Sequence, residues 1–242
     1  MKQKITAFNF SPGKVLNSKY EVIQPLGSGW ESEVYLVREI GTGIERTAKF
    51  FFPIRNVKNK TANLTAKRFH TLRNCPILIR YHTQEILRFK NTMITFLVSE
   101  YIEGEVLEAF IKRQPGKKLP PFQALHLLYA LASGLTPVHQ LKEYHGDIHT
   151  ENIIVQSYGL YFDLKVLDLH HWEFAKKENI KDDVCDMIRV FYDVLGGAKT
   201  YSKMPPVIKQ ICCGLKRNLI LSKFKNAGHL KSYLETMRWD SP

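Results

Sequence analysis

The stretch that most constrains this chain runs from Tyr144 to His170. Its first half, His145-Gly146-Asp147-Ile148-His149-Thr150-Glu151-Asn152, follows an apolar run with helical spacing, Pro121 to Leu135. Asp147 and Asn152 pair a carboxylate with an amide five residues on. Leu160-Tyr161-Phe162-Asp163-Leu164-Lys165-Val166-Leu167 then reads as a strand and delivers a second carboxylate, Asp168. A loop and a short hairpin therefore bring two acids and an amide toward one spot. Hard cations take oxygen ligands, so such a group can hold Mg2+ through Asn152 and Asp168 and can accept a proton from a hydroxyl at Asp147.

This arrangement resembles the catalytic and metal-binding loops of the protein kinase superfamily, whose usual forms are H-R-D-L-x-x-x-N and D-F-G. The resemblance implies an α+β, bilobal fold: an antiparallel-sheet N-lobe with one helix, and a mostly helical C-lobe. It places the N-lobe at residues 19–103 and the C-lobe at 104–242, with residues 1–18 as an extension packed on the surface. It also implies ATP and Mg2+ as cofactors, Asp147 as a catalytic residue, and Asn152 and Asp168 as metal ligands.

The preceding residues extend the resemblance. Two strand-like runs, Tyr20 to Leu26 and Val34 to Val37, flank Gly27-Ser28-Gly29-Trp30-Glu31-Ser32-Glu33 and read as a hairpin. Glycines let backbone amides approach an oxyanion, as in loops that cover phosphates. Ser32 stands where a kinase has its third glycine. The next strand, Glu45 to Phe52, sets Lys49 among apolar residues, similar to the V-A-I-K lysine that contacts the α- and β-phosphates. A helix is expected over Lys58–Asn74, and strands over Ile77–His82 and Thr92–Val98. Ser99-Glu100-Tyr101-Ile102 is similar to the hinge that binds adenine through its backbone, with Ser99 as a small gatekeeper. Leu26, Val34 and Ile154 would line an apolar slot for the base. The ATP-binding set is thus Leu26, Gly27, Ser28, Gly29, Val34, Lys49, Glu100, Ile102 and Ile154.

Some features depart from the family. Active protein kinases pair the strand lysine with a glutamate on the following helix, but no Asp or Glu lies between Glu45 and Glu85. The position expected for that glutamate falls at or near Ala66. Another acid, Asp168 for one, must orient Lys49, or the enzyme is slow or inactive. Leu169-His170 replaces Phe-Gly after Asp168. Fifteen positions separate Asp168 from Asp183, with no Ser, Thr or Tyr between Leu169 and Asp182, and Gly146 replaces the arginine that reads a loop phosphate. Control by activation-loop phosphorylation is therefore not expected. The run Asp182 to Gly197 resembles the central C-lobe helix; Asp183 within it would cap the catalytic-loop backbone and serve as a helix N-cap, the two roles being compatible. His145, His149, His170 and His171 cluster in sequence; imidazole is a common transition-metal ligand, but His145 is better explained as a core residue holding the loop.

His149 stands where protein kinases carry a lysine, and H-G-D-x-H-x-x-N is the form of aminoglycoside and choline phosphotransferases. The glycine loop, hinge and closing helices resemble a compact bacterial-type Ser/Thr kinase more. A Ser/Thr protein kinase of atypical type is therefore favoured, with protein substrates ahead of small molecules. A small-molecule kinase and a pseudokinase that serves as a binding scaffold are the alternatives. The formal charge of +12 is uneven: residues 1–104 carry 16 Lys and Arg against 8 Glu and no Asp. This basic N-lobe could meet an acidic partner; no nucleic-acid motif accompanies it, and nucleic acid is not the expected partner. No segment approaches the roughly 18 consecutive apolar residues of a membrane span. Cys75, Cys185, Cys212 and Cys213 lack metal-ligand spacing, which suits reduced thiols in a cytoplasmic protein.

Overall fold

A computed structural model of the chain describes residues 5–172 and 175–238. It divides into two compact units. The first gathers the residues up to 73 together with 79–102, and the second gathers 74–78 and those from 103 onward.

In the first unit β1 (Val15–Leu16), β2 (Tyr20–Ser28), β3 (Ser32–Glu39), β4 (Glu45–Phe51), β5 (Tyr81–Phe89) and β6 (Thr92–Glu100) form one antiparallel sheet, ordered β1-β2-β3-β4-β6-β5. The helix α1 (Lys60–Thr71) lies between β4 and β5 in the chain. Successive strand residues point to opposite faces, and β4 and β6 sort accordingly. Ala48, Phe50, Ile94, Phe96 and Val98 join Tyr20, Val22, Tyr35 and Val37 in one core. Phe51 and Leu97 point the other way and pack with Ala62 and Ala66 of α1.

The amino-terminal segment corrects one expectation. Residues 1–18 were placed on the surface, yet Ile5, Phe8, Phe10 and Leu16 belong to the first core, and Phe8 and Phe10 are each 4% exposed. The Phe10 ring meets Phe50 edge-on at 5.1 Å. Phe8 N and Asn9 N donate to the buried Glu33 carboxylate at 3.1 and 3.3 Å, and the Tyr35 hydroxyl donates to it too. So α1 covers one face of the sheet and this segment covers the other. The polar turn Ser11-Pro12-Gly13 hid that role in the sequence.

The strand expected over Ile77–His82 begins only at Tyr81. Leu78 instead makes an isolated parallel bridge to Val166, and Val166 N donates to Ile77 O at 2.8 Å. The second unit contains β7 (Glu105–Val106), α2 (Leu107–Lys112), α3 (Pro121–Gln140), β8 (Ile153–Tyr158), β9 (Tyr161–Val166), α4 (Lys176–Val194), α5 (Ala198–Tyr201), α6 (Pro206–Cys212), α7 (Arg217–Lys223) and α8 (Ala227–Thr236). The apolar stripe of α3 packs against α4, α8 and β9. The helix α4 starts six residues before Asp182, because Lys176, Lys177, Glu178 and Lys181 are good helix formers and Glu178 complements the positive amino-terminal end. Asp183 is therefore inside the helix and is not its N-cap; Ala175 holds that position.

Candidate active site

In the first unit, sheet register builds a row of candidate residues on one face. Gly27 stands opposite Val34, Val34 opposite Lys49, and Lys49 opposite Leu97. Opposed residues of antiparallel strands point the same way, so Val34 and Lys49 adjoin on the face that also carries Phe51 and α1. Ser99, opposite Thr47, falls on that face as well. A Cβ added at Gly27 or Gly29 would meet no protein atom within 4 Å. The packing of this unit thus does not require either glycine, and the absence of side chains there leaves the loop amides open to an anion. Leu26 and Ser28 lie at the exposed end of β2. Glu100 closes β6, and its Oε1 accepts from Arg80 N at 2.8 Å; Ile102 follows, partly buried.

Lys49 has a carboxylate partner that was missed in the sequence. Its Nζ lies 3.1 Å from Glu31 Oε1, a residue of the β2–β3 turn. No signal of spacing marks Glu31; only folding of the hairpin onto β4 brings it there.

In the second unit the β8–β9 hairpin pairs Ile153 with Val166, and Leu167 N donates to Asn152 O at 2.8 Å. Asn152 and Asp168 therefore leave the same end of one hairpin, with Ile154 one step inside it. The Asn152 amide donates through Nδ2 to Asp147 Oδ2 at 2.8 Å and to Asp147 O at 3.1 Å. With Nδ2 committed to two acceptors, Oδ1 is presented as the amide's acceptor oxygen. Asp168 holds a φ of 54°, a left-handed conformation that Asp adopts more readily than most residues.

Asp147 is half-buried. The His149 imidazole, 3.6 Å from its Oδ2, holds the carboxyl below the usual carboxylate range, and Asp147 in turn pushes the imidazole up. His145 Nδ1 accepts from Asp147 N at 3.2 Å. Beneath the loop, Asp183 is fully buried and accepts from His145 N at 2.6 Å, Gly146 N at 2.8 Å and His139 Nε2 at 3.1 Å. The expected capping of the loop backbone is thus present in the geometry.

Gly146 explains its own departure from the family pattern. Its φ is +89°, and a Cβ there would stand 2.9 Å from His170 O. The segment after Asp168 folds directly onto it. His170 N donates to His145 O at 3.1 Å and Trp172 Nε1 to Gly146 O at 2.7 Å. An arginine side chain has no room at this position.

One more acid was missed. Asp186 lies one turn beyond Asp183 on α4, and its carboxyl is pushed up to about 7 by burial first and then by repulsion from Asp183, Asp182 and Asp147. The Asp-x-x-Asp spacing on one helix face was the available signal.

Among the described residues no group of three or more His, Cys, Asp or Glu side chains is placed to hold a metal ion. Mg2+ asks for less, since it keeps several waters and binds through one or two carboxylates plus phosphate oxygens. The oxygen donors of Asn152 and Asp168 fit that need.

The model of the protein kinase domain matches residues 20–195. Calcium-dependent protein kinase 4 of Plasmodium falciparum is 28% identical over 217 residues, which cover 86% of this chain but 38% of that protein. The probable serine/threonine-protein kinase YbdM of Bacillus subtilis is 25% identical over 224 residues, covering 86% of this chain and 84% of that protein. The chain thus spans less than half the length of the first and most of the second. Among solved structures, the PknI kinase domain of Mycobacterium tuberculosis superposes with a TM-score of 0.68 at 15% identity, covering 94% of this chain and 99% of that one. That likeness is one of fold. With the domain match running from β2 to the end of α4, this chain belongs to the protein kinase family.

Proposed function

We propose that the protein is an ATP- and Mg2+-dependent phosphotransferase that phosphorylates Ser or Thr hydroxyls of proteins. The observation that carries the reading is the coupling of Asp147 to Asn152 at 2.8 Å, with Asp168 beside them at the end of the β8–β9 hairpin. The names of the relatives, which are serine/threonine and calcium-dependent protein kinases, support protein substrates.

Asp147 orients the acceptor hydroxyl and takes its proton as the oxygen bonds to the γ-phosphorus of ATP and the bond from that phosphorus to the β,γ-bridging oxygen breaks, releasing ADP. A carboxyl held below its ordinary range is a weak base, so its work is mainly orientation. Asn152 and Asp168 hold the metal, which when bound neutralises charge on the transferring phosphoryl group. Lys49 holds the α- and β-phosphates; Leu26, Gly27, Ser28, Gly29, Val34, Glu100, Ile102 and Ile154 are assigned to the rest of the nucleotide. The surplus of basic residues in the first unit suits an acidic protein partner. Among the described residues no helix is long and apolar enough to cross a membrane. We place the protein in the cytoplasm, where ATP is supplied and its four cysteines, all free here, stay reduced.

The test is ADP release from Mg-ATP with a generic protein acceptor, set against Asp147→Asn and Asp168→Asn. Asp168→Asn is expected to remove turnover with the fold intact, and Asp147→Asn to lower it by about 10²-fold or more, the cost of a misplaced acceptor. Turnover unchanged in both variants would refute the assignment. ADP release that depends on an added small-molecule hydroxyl and not on the protein acceptor would point to a small substrate.

A further inference from the structure

The helix α1 cannot supply the acid that an active kinase pairs with its strand lysine. Its sequence, Lys60 to Thr71, contains no Asp or Glu. Its sheet-facing side is small and apolar, with Ala62 and Ala66 against Phe51 and Leu97. Yet Lys49 stands on this same face of the sheet, and a partly buried ammonium needs a compensating charge.

The glycine-rich turn supplies one. The Glu31 carboxylate approaches Lys49 Nζ to 3.1 Å, with the two side chains 28% and 16% exposed. Glu31 is itself tied down through its neighbours. Its backbone oxygen accepts from Phe52 N at 2.9 Å, just beyond β4. Gly29 N donates to Ser32 O at 2.9 Å and closes the turn. Trp30, 70% exposed, has the Arg55 guanidinium 3.7 Å from its ring centre. Backbone bond, turn closure and cation–π contact together lash the turn to the far end of β4.

We propose that Glu31 is the positioning partner of Lys49, so that the carboxylate usually carried by the helix has moved into the phosphate-covering loop. Ordering of the loop and orientation of the lysine then become one event, and α1 need not move for the lysine to be aligned. The inference rests on the phosphotransferase reading above and deepens it.

Glu31→Gln keeps the volume and the Phe52–Glu31 backbone bond while removing the charge. Because an oriented lysine acts most on the transition state, kcat/KM for Mg-ATP should fall at least about tenfold, with the larger share in kcat. Glu31→Asp should retain part of the activity. A double-mutant cycle isolates the pair: in a Lys49→Met background, Glu31→Gln should change the Kd of Mg-ATP less than about twofold, against a larger change with Lys49 present. Thermal unfolding of Glu31→Gln should match the parent, which separates positioning from folding.

Turnover lost in Asp147→Asn but unchanged in Glu31→Gln would overturn this inference and leave the phosphotransferase reading standing. Tighter nucleotide binding in Glu31→Gln would overturn it too, showing that Glu31 competes with phosphate for Lys49. A parent protein that binds nucleotide without turnover is still decided by the cycle of Kd values. A parent that binds no nucleotide defeats both readings.

Discussion

Asp183→Asn tests how the catalytic loop is held. Three donors converge on this buried carboxylate: His145 N and His139 Nε2 on Oδ2, and Gly146 N on Oδ1. His139 Nδ1 accepts from Ala227 N at 2.9 Å, so the ring proton must sit on Nε2 and point at Asp183. An asparagine keeps one acceptor oxygen but turns an NH2 group toward either Gly146 N or the other two donors. Whichever way it turns, at least one hydrogen bond to a charged group is lost, at about 1.5 to 3 kcal/mol, and a buried amide is left facing another donor. The remaining bonds lose their charge assistance. The expected destabilisation is about 3 to 5 kcal/mol, comparable with breaking a buried pair. For a chain of this size that lowers Tm by roughly 6 to 20 °C. Calorimetry reads the total, and hydrogen exchange at the His145 and Gly146 amides reads the locality, since both should lose protection together. A variant within about 1 kcal/mol of the parent, with those amides still protected, would refute the reasoning.

Two further outcomes follow from burial and charge. Phe8→Ala removes a ring that packs on Phe10, Phe50 and Phe52; it should cost about 3 to 5 kcal/mol in denaturant unfolding, and a cost under about 1 kcal/mol would return the amino-terminal segment to the surface. Asp186 has a folded-state pKa of about 7 against an ordinary 3.8. A raised acid stabilises the fold while protonated, and that advantage is lost as pH rises toward 7. Asp186→Asn should therefore gain on the parent between about pH 4 and pH 7 and level off above, with a ceiling of about 4 kcal/mol; a constant difference in Tm across that range would refute the assignment.

Much of the site was readable in the chain because its parts are local. Asp147 and Asn152 share one loop, and Asp168 follows a hairpin whose turn and alternation are written in neighbouring residues. Lys49 was marked by its place among apolar strand residues. Element ends were less legible: α4 begins at Lys176, because helix formers and a first-turn glutamate extended it past the apolar pattern. The strand expected from Ile77 failed because Ile77 and Leu78 pair with Val166, a partner far along the chain.

By itself, then, the sequence determined most of the elements through local spacing and alternation, and its motifs carried the resemblance that implied the α+β class and the candidate site residues. Tertiary structure alone decided which charges meet. Glu31 reaches Lys49 because a hairpin folds along β4, Gly146 is compelled by the backbone of His170 lying on it, and Phe8 and Phe10 are buried because one face of the sheet needed a cover. Each of these contacts joins residues whose separation carries no periodic signal, and burial and Coulomb attraction act only once the chain has brought them together.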